Sequence, residues 1–117
     1  MTADPLTLEV GDVGFEIDLG AEKLIAAEKE SRKIAVEIKS FLGSSPIYEF
    51  HGVLGQFLNY REALAAKEPD RTLYVAVPVD AYEELFLRQF IQQVVRRYQL
   101  KLIVYSPLRK VIVEWLE

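Results

Sequence analysis

Two acidic residues and a lysine stand where they could hold a metal ion and a water molecule against a phosphodiester. Lys33-Ile-Ala-Val-Glu-Ile-Lys39 is β-branched and apolar, which predicts a strand. Side chains alternate faces along a strand. Ile34, Val36 and Ile38 should therefore point into a core, and Ala35, Glu37 and Lys39 the other way. Upstream, Val13-Gly-Phe-Glu-Ile-Asp-Leu19 repeats the pattern, with Glu16 and Asp18 opposite Val13, Phe15, Ile17 and Leu19. Brought close in one sheet, the two strands would gather Asp18, Glu37 and Lys39. Two carboxylates supply hard oxygen donors for Mg²⁺ or Mn²⁺, and the lysine puts positive charge beside an attacking water. The competing reading is a solvated Glu–Lys pair on a half-exposed sheet, which contributes little.

The elements around these residues follow from pattern and punctuation. Leu6–Val10 reads as a strand, Gly11-Asp12 as a turn, and Val13–Leu19 as a second strand. Leu24–Glu30 is taken as a third, tightly linked by Ser31-Arg32 to Lys33–Ser40. Strands 13–19, 24–30 and 33–40 are expected to form an antiparallel meander. Ser45 and Pro46 suit the cap and first position of a helix. Its apolar stripe runs through Ile47, Phe50, Leu54, Phe57, Leu58 and Leu64 to about Lys67. His51 lies beside the stripe and reads as a hydrogen-bonded helix residue. Arg71–Val77 is almost wholly apolar, as a strand buried on both faces would be. Asp80 should cap a helix over 81–98, with Leu85, Phe86, Phe90, Ile91 and Val94 on its apolar side. Leu100–Tyr105 and Val111–Trp115 complete the order β-β-β-β-α-β-α-β-β. That order predicts an α/β (α+β) domain over 1–117, in which an antiparallel meander leads into αβα units and C-terminal strands of one mixed sheet.

Composition narrows the chemistry. The chain has 117 residues, no cysteine and one histidine, His51, so thiolate and multi-histidine metal sites are excluded. No apolar run approaches the roughly 20 residues of a membrane span, and the first residues lack the features of a signal peptide. A cytoplasmic location without membrane contact is the expectation. The net charge is −4, unevenly spread: residues 1–58 carry ten acids and five bases, residues 59–117 eight acids and nine bases. Arg88, Arg96, Arg97 and Lys101 cluster about the end of the second helix. Arg96 and Arg97 are candidates for DNA phosphates, against the plainer reading of a solvated helix face.

Ile17-Asp18-Leu19, then Val36-Glu37-Ile38-Lys39, then Gln56 with Tyr60, resemble the restriction-endonuclease-like PD-(D/E)XK superfamily. The wording of 18–29, 33–41, 54–61 and 73–78 is more specific. Those strings resemble the cyanobacterial fdxN element excision controlling factor proteins of the XisH type, over essentially the whole chain from Asp4 to Leu116. The resemblance implies a nuclease-like core and a role in excising a DNA element from the chromosome during development. Implied partners are DNA and a second excision factor of the XisI type. Fold and chemistry can part company in such families, so a non-catalytic regulatory partner is the alternative.

The resemblance also assigns roles. Asp18 and Glu37, with the Ile38 carbonyl, would bind Mg²⁺ or Mn²⁺. Lys39 would orient or deprotonate the attacking water, Gln56 would touch Lys39, the nucleophile or DNA, and Tyr60 would meet a phosphate. The superfamily core usually opens with a helix that this sequence does not show before its first strand. With only helices 46–67 and 81–98 as cover, the positions Phe15, Ile17, Val36 and Ile38 are expected to need a partner surface, and a homo-oligomer follows.

Overall fold

The structure, a computed structural model, describes residues 6–10, 13–17, 23–29, 32–41 and 45–117. Its strands are β1 (Leu6–Val10), β2 (Val13–Ile17), β3 (Lys23–Lys29), β4 (Arg32–Ile38), β5 (Thr72–Pro78), β6 (Leu102–Ser106) and β7 (Val111–Leu116). Helix α1 spans Pro46–Lys67; a short α2 (Val79–Ala81) runs into a π-helical turn, Tyr82–Phe86, before α3 (Gln89–Arg97). Five strands form one mixed sheet in the order β3-β4-β5-β6-β7, with parallel pairing at β4–β5 and β5–β6 and antiparallel pairing at both ends. The order of elements and the mixed sheet agree with the sequence reading.

The two parallel crossovers step in the same direction across the sheet. Right-handed connections then put both helical segments on one face. On that face Ala35, Leu73, Val75, Val77, Leu102 and Val104 pack against Phe50, Val53 and Phe57 of α1 and against Leu85, Phe86 and Ile91. Each large side chain so buried contributes about 1.5–3 kcal/mol. The opposite face carries Ile34, Val36, Ile38, Tyr74, Ala76, Ile103 and Tyr105, with Ile112 and Trp115 against them. A two-stranded sheet, β1–β2, completes the described strands, and β1 lies against both edge strands, β3 and β7.

Helix α1 starts where its punctuation says. The Ser45 side chain accepts from the Tyr48 N–H at 3.3 Å, and Pro46 occupies the first turn, where its missing N–H costs nothing. The buried stripe is Phe50, Val53 and Phe57, while Ile47 is 38% exposed and His51 is exposed. At the far end, Arg71 donates to the Glu68 carboxylate at 2.7 Å and to the Ile34 carbonyl at 2.8 Å, fastening the turn before β5 onto β4.

Three expectations are corrected. β2 pairs with β1 in its own sheet, and β3 pairs with β4, so the meander of 13–19, 24–30 and 33–40 does not form among the described residues. A two-residue link at Gly11-Asp12 closes a hairpin with β1 at less entropic cost than a longer loop to β3. The helix expected over 81–98 is broken at Leu87-Arg88, where Arg88 is extended at φ −68°, ψ 141°. Phe86 and Ile91 are five residues apart, which on an unbroken helix would set them roughly 140° apart. The break turns both into the core and leaves Phe90 65% exposed. Finally, Val36 and Ile38 are fully buried, so they do not form the uncovered apolar surface expected of them. The backbones of Phe15 and Ile17 pair with Leu8 and Leu6 of β1, and the expectation for their side chains lies outside what the structure describes.

Candidate functional site

Glu37 and Ile38 close β4, and Lys39 follows it. The last five residues of β4 are all buried, and so is Lys39. Strand alternation puts Glu37 and Lys39 on the helix-facing side with Ala35. Glu37 is 3% exposed and Lys39 6%. The two are therefore not a solvated surface pair. Taking a carboxylate and an ammonium out of water costs several kcal/mol per ion before any pairing is counted. Sites that withstand such a cost are often ones that use the charges.

The lysine is held at three atoms. Its Nζ donates to Oε1 of the half-buried Gln56 on α1, at 3.2 Å. Its backbone N–H donates to the Ala76 carbonyl of β5 at 2.9 Å. Its carbonyl accepts from the Tyr105 hydroxyl of β6 at 3.3 Å. Three neighbouring elements thus fix the point where β4 ends. Burial pushes the Tyr105 phenol up to about 12, so it stays a donor through the neutral and mildly alkaline range.

The chain then leaves the sheet sharply. Phe41 is in the left-handed region at φ 56°, unusual for a bulky residue. Its ring meets Phe86 edge-on at 5.8 Å, tying the end of this segment to the helix-side core. A cleft of about 270 Å³ opens beside it, lined by Ser40, Phe41, Pro46, Pro78, Asp80 and Tyr105 among others. The cleft lies at the carboxyl ends of β4, β5 and β6, where parallel sheets commonly take ligands.

The sequence candidates are distributed as follows. Glu37, Ile38, Lys39 and Gln56 are together at the β4–α1 contact, with Glu37 and Lys39 on the helix side and Ile38 buried on the other. Asp18 lies outside the described residues. Tyr60, one turn beyond Gln56, is half-buried and packs on the helix-side core. Arg96 and Arg97 are exposed in the last turn of α3. Among the described residues there is no group of three His, Asp or Glu able to hold a metal. Glu37 is the buried carboxylate in the group, and a hard oxygen donor of this kind suits Mg²⁺ or Mn²⁺. Tyr105 was not a sequence candidate. It sits in an apolar run that reads simply as core, and only the need of a buried phenol for a partner hints at more.

Comparison with known proteins gives this arrangement a family. Residues 1–113 match the XisH protein family. A crystal structure of an XisH family protein from Nostoc punctiforme PCC 73102 is 46% identical, with a TM-score of 0.78, over 96% of this chain and 83% of that one. A crystal structure of an fdxN element excision controlling factor protein from Anabaena variabilis is 48% identical, with a TM-score of 0.77, over 99% of this chain and 85% of that one. None of the curated proteins matches this chain. Among the described residues, no helix is long and apolar enough to cross a membrane. The family match over nearly the whole sequence and the two similar structures agree: this chain belongs to the XisH family.

Proposed function

We propose that this chain controls excision of an fdxN-type chromosomal element, and that it does so with a restriction-endonuclease-like core acting as a metal-dependent DNA endonuclease. The observation that carries the reading is the Glu37–Lys39 group: both side chains buried on one face of a central strand, with Lys39 Nζ 3.2 Å from Gln56 Oε1. A structural surface pair would be solvated and would not be braced from a neighbouring helix. The name given to the Anabaena variabilis relative supports the biological setting.

In this reading Glu37 and Asp18 hold Mg²⁺ or Mn²⁺ through their carboxylates, with the Ile38 carbonyl as a further oxygen donor. When bound, the cation offsets negative charge gathering on the phosphate. Lys39 directs its amino group toward the attacking water: the neutral amine would accept the water's proton, and the ammonium so formed would orient charge at the phosphate and stabilise it. Gln56 acts through Lys39, fixing where the amine points. The net charge of −4 favours a second reading, in which the chain binds another excision factor and cuts nothing. Purified protein on branched, single-stranded and duplex DNA with Mg²⁺ or Mn²⁺, with and without an XisI-type factor, separates the two. Metal-dependent strand breaks support the first. Complex formation without breaks under every condition supports the second and rejects the first.

A further inference from the structure

The longest stretch without negative charge surrounds α3. Residues 85–113 contain six lysines and arginines and no aspartate or glutamate, in a chain whose net charge is −4. Within it, α3 turns Gln89, Phe90, Gln93, Arg96 and Arg97 to solvent. Phe90 is 65% exposed and Leu87, just before the helix, 54%. Arg88 marks the start of this face, its Nε donating to the Glu84 carbonyl at 3.1 Å. Arg97 marks its end, with its guanidinium 6.0 Å from the Tyr98 ring. Arg96 and Arg97 form no ion pair among the described residues. The arginines at the two ends, nine residues apart, are separated by roughly 13–14 Å along the axis, with Phe90 between them.

We propose that this face of α3 binds single-stranded DNA, with Phe90 stacking on an unpaired base and Arg88, Arg96 and Arg97 meeting phosphates. The inference rests on the DNA-directed reading above and specifies a surface for it. An aromatic ring projecting from a polar, basic helix offers a stacking face that duplex DNA, with its bases already stacked, does not engage. The flanking positive charge complements the backbone. Gln89 and Gln93 add neutral amides beside the ring, able to hydrogen-bond to whichever base lies there.

The test is fluorescence anisotropy of a labelled oligodeoxythymidine strand and of a matched duplex, in EDTA so that no cleavage is required. The wild type binds the single strand, more weakly as salt rises. Phe90→Ala weakens binding about tenfold and Phe90→Trp preserves it. Arg96→Gln/Arg97→Gln reduces the slope of affinity against salt. Unchanged affinity in Phe90→Ala overturns the proposal. So does a change in light-scattering mass for that variant with DNA binding intact, which would assign Phe90 to a contact between copies. In a parallel assay with Mg²⁺ or Mn²⁺ in place of EDTA, duplex cleavage by a protein that does not bind the single strand overturns this proposal and leaves the nuclease reading standing. Single-strand binding through Phe90 with no cleavage does the reverse.

Discussion

Replacing Tyr105 by phenylalanine tests how the chain is anchored at Lys39, where β4 ends. The Tyr105 hydroxyl donates to the Lys39 carbonyl at 3.3 Å, from a side chain 1% exposed. Near neutral pH, removing that hydrogen bond should cost about 0.5–1.5 kcal/mol, toward the lower end because the bond is long. The pH dependence gives a sharper signature. Burial raises the folded phenol to about 12, whereas the unfolded phenol titrates at about 10, as an ordinary tyrosine does. The native state therefore binds this proton more tightly. The resulting stability is fully present below pH 10 and is lost as pH climbs toward 12. For this one group the loss by pH 11 is about 1.4 kcal/mol. Tyr105→Phe has no such proton to lose. Tyr74 and Tyr82 are also raised, chiefly by burial, but they are common to both proteins and cancel in the difference. Urea unfolding followed by circular dichroism at pH 8 and pH 11 should show the variant less stable at the lower pH and as stable as the wild type or more so at the higher. A gap that stays constant between the two pH values would refute the burial argument. No gap at pH 8 would show that the bond to Lys39 contributes nothing.

Three further outcomes follow from the packing and the site. Phe50→Ala should lose about 3–5 kcal/mol, since the ring is 2% exposed and meets Phe86 edge-on at 5.5 Å; His51→Ala, one position away and exposed, should change chemical-denaturation midpoints little. Gln99 sits just past α3 at φ 55°, so Gln99→Gly should relieve left-handed strain and raise stability by up to about 1 kcal/mol in thermal melts. Calorimetric titration with Mn²⁺ should show weak binding heat that vanishes in Asp18→Asn/Glu37→Gln; heat that persists in the double variant would move the cation elsewhere.

Much of this architecture was legible because local signals and tertiary packing agreed. Ser45-Pro46 opened α1 where capping chemistry demands, and the apolar run before Pro78 became a strand buried on both faces. Alternation in 33–39 separated Ile34, Val36 and Ile38 from Ala35, Glu37 and Lys39, and the two cores divide in the same way. What alternation could not supply was which face the helices would cover. The expectation of an apolar inner face and a polar outer one treated the sheet as one-sided. The crossovers cover the Ala35 side, β1 reaches both edges, and both faces are buried, so Glu37 and Lys39 are charges inside the domain. The break at Arg88 was hidden because residues 81–98 hold good helix formers; only the five-residue step from Phe86 to Ile91 betrayed it. Strand partners for β2 were unreadable from its own pattern, which suits either neighbour equally.

The proposed function makes Glu37 and Lys39, braced by Gln56, a centre that breaks phosphodiester bonds. Single-turnover cleavage in Mn²⁺ by the wild type, Glu37→Gln, Lys39→Met and Gln56→Leu tests it most directly, with folding of each variant checked by circular dichroism. The account predicts strand breaks by the wild type and none by Glu37→Gln or Lys39→Met. Gln56→Leu, which leaves the amine present but unbraced at its 3.2 Å contact, should cut about 10–100-fold more slowly. Equal cleavage by all four proteins, or none by the wild type on any DNA with its partner factor present, would contradict it.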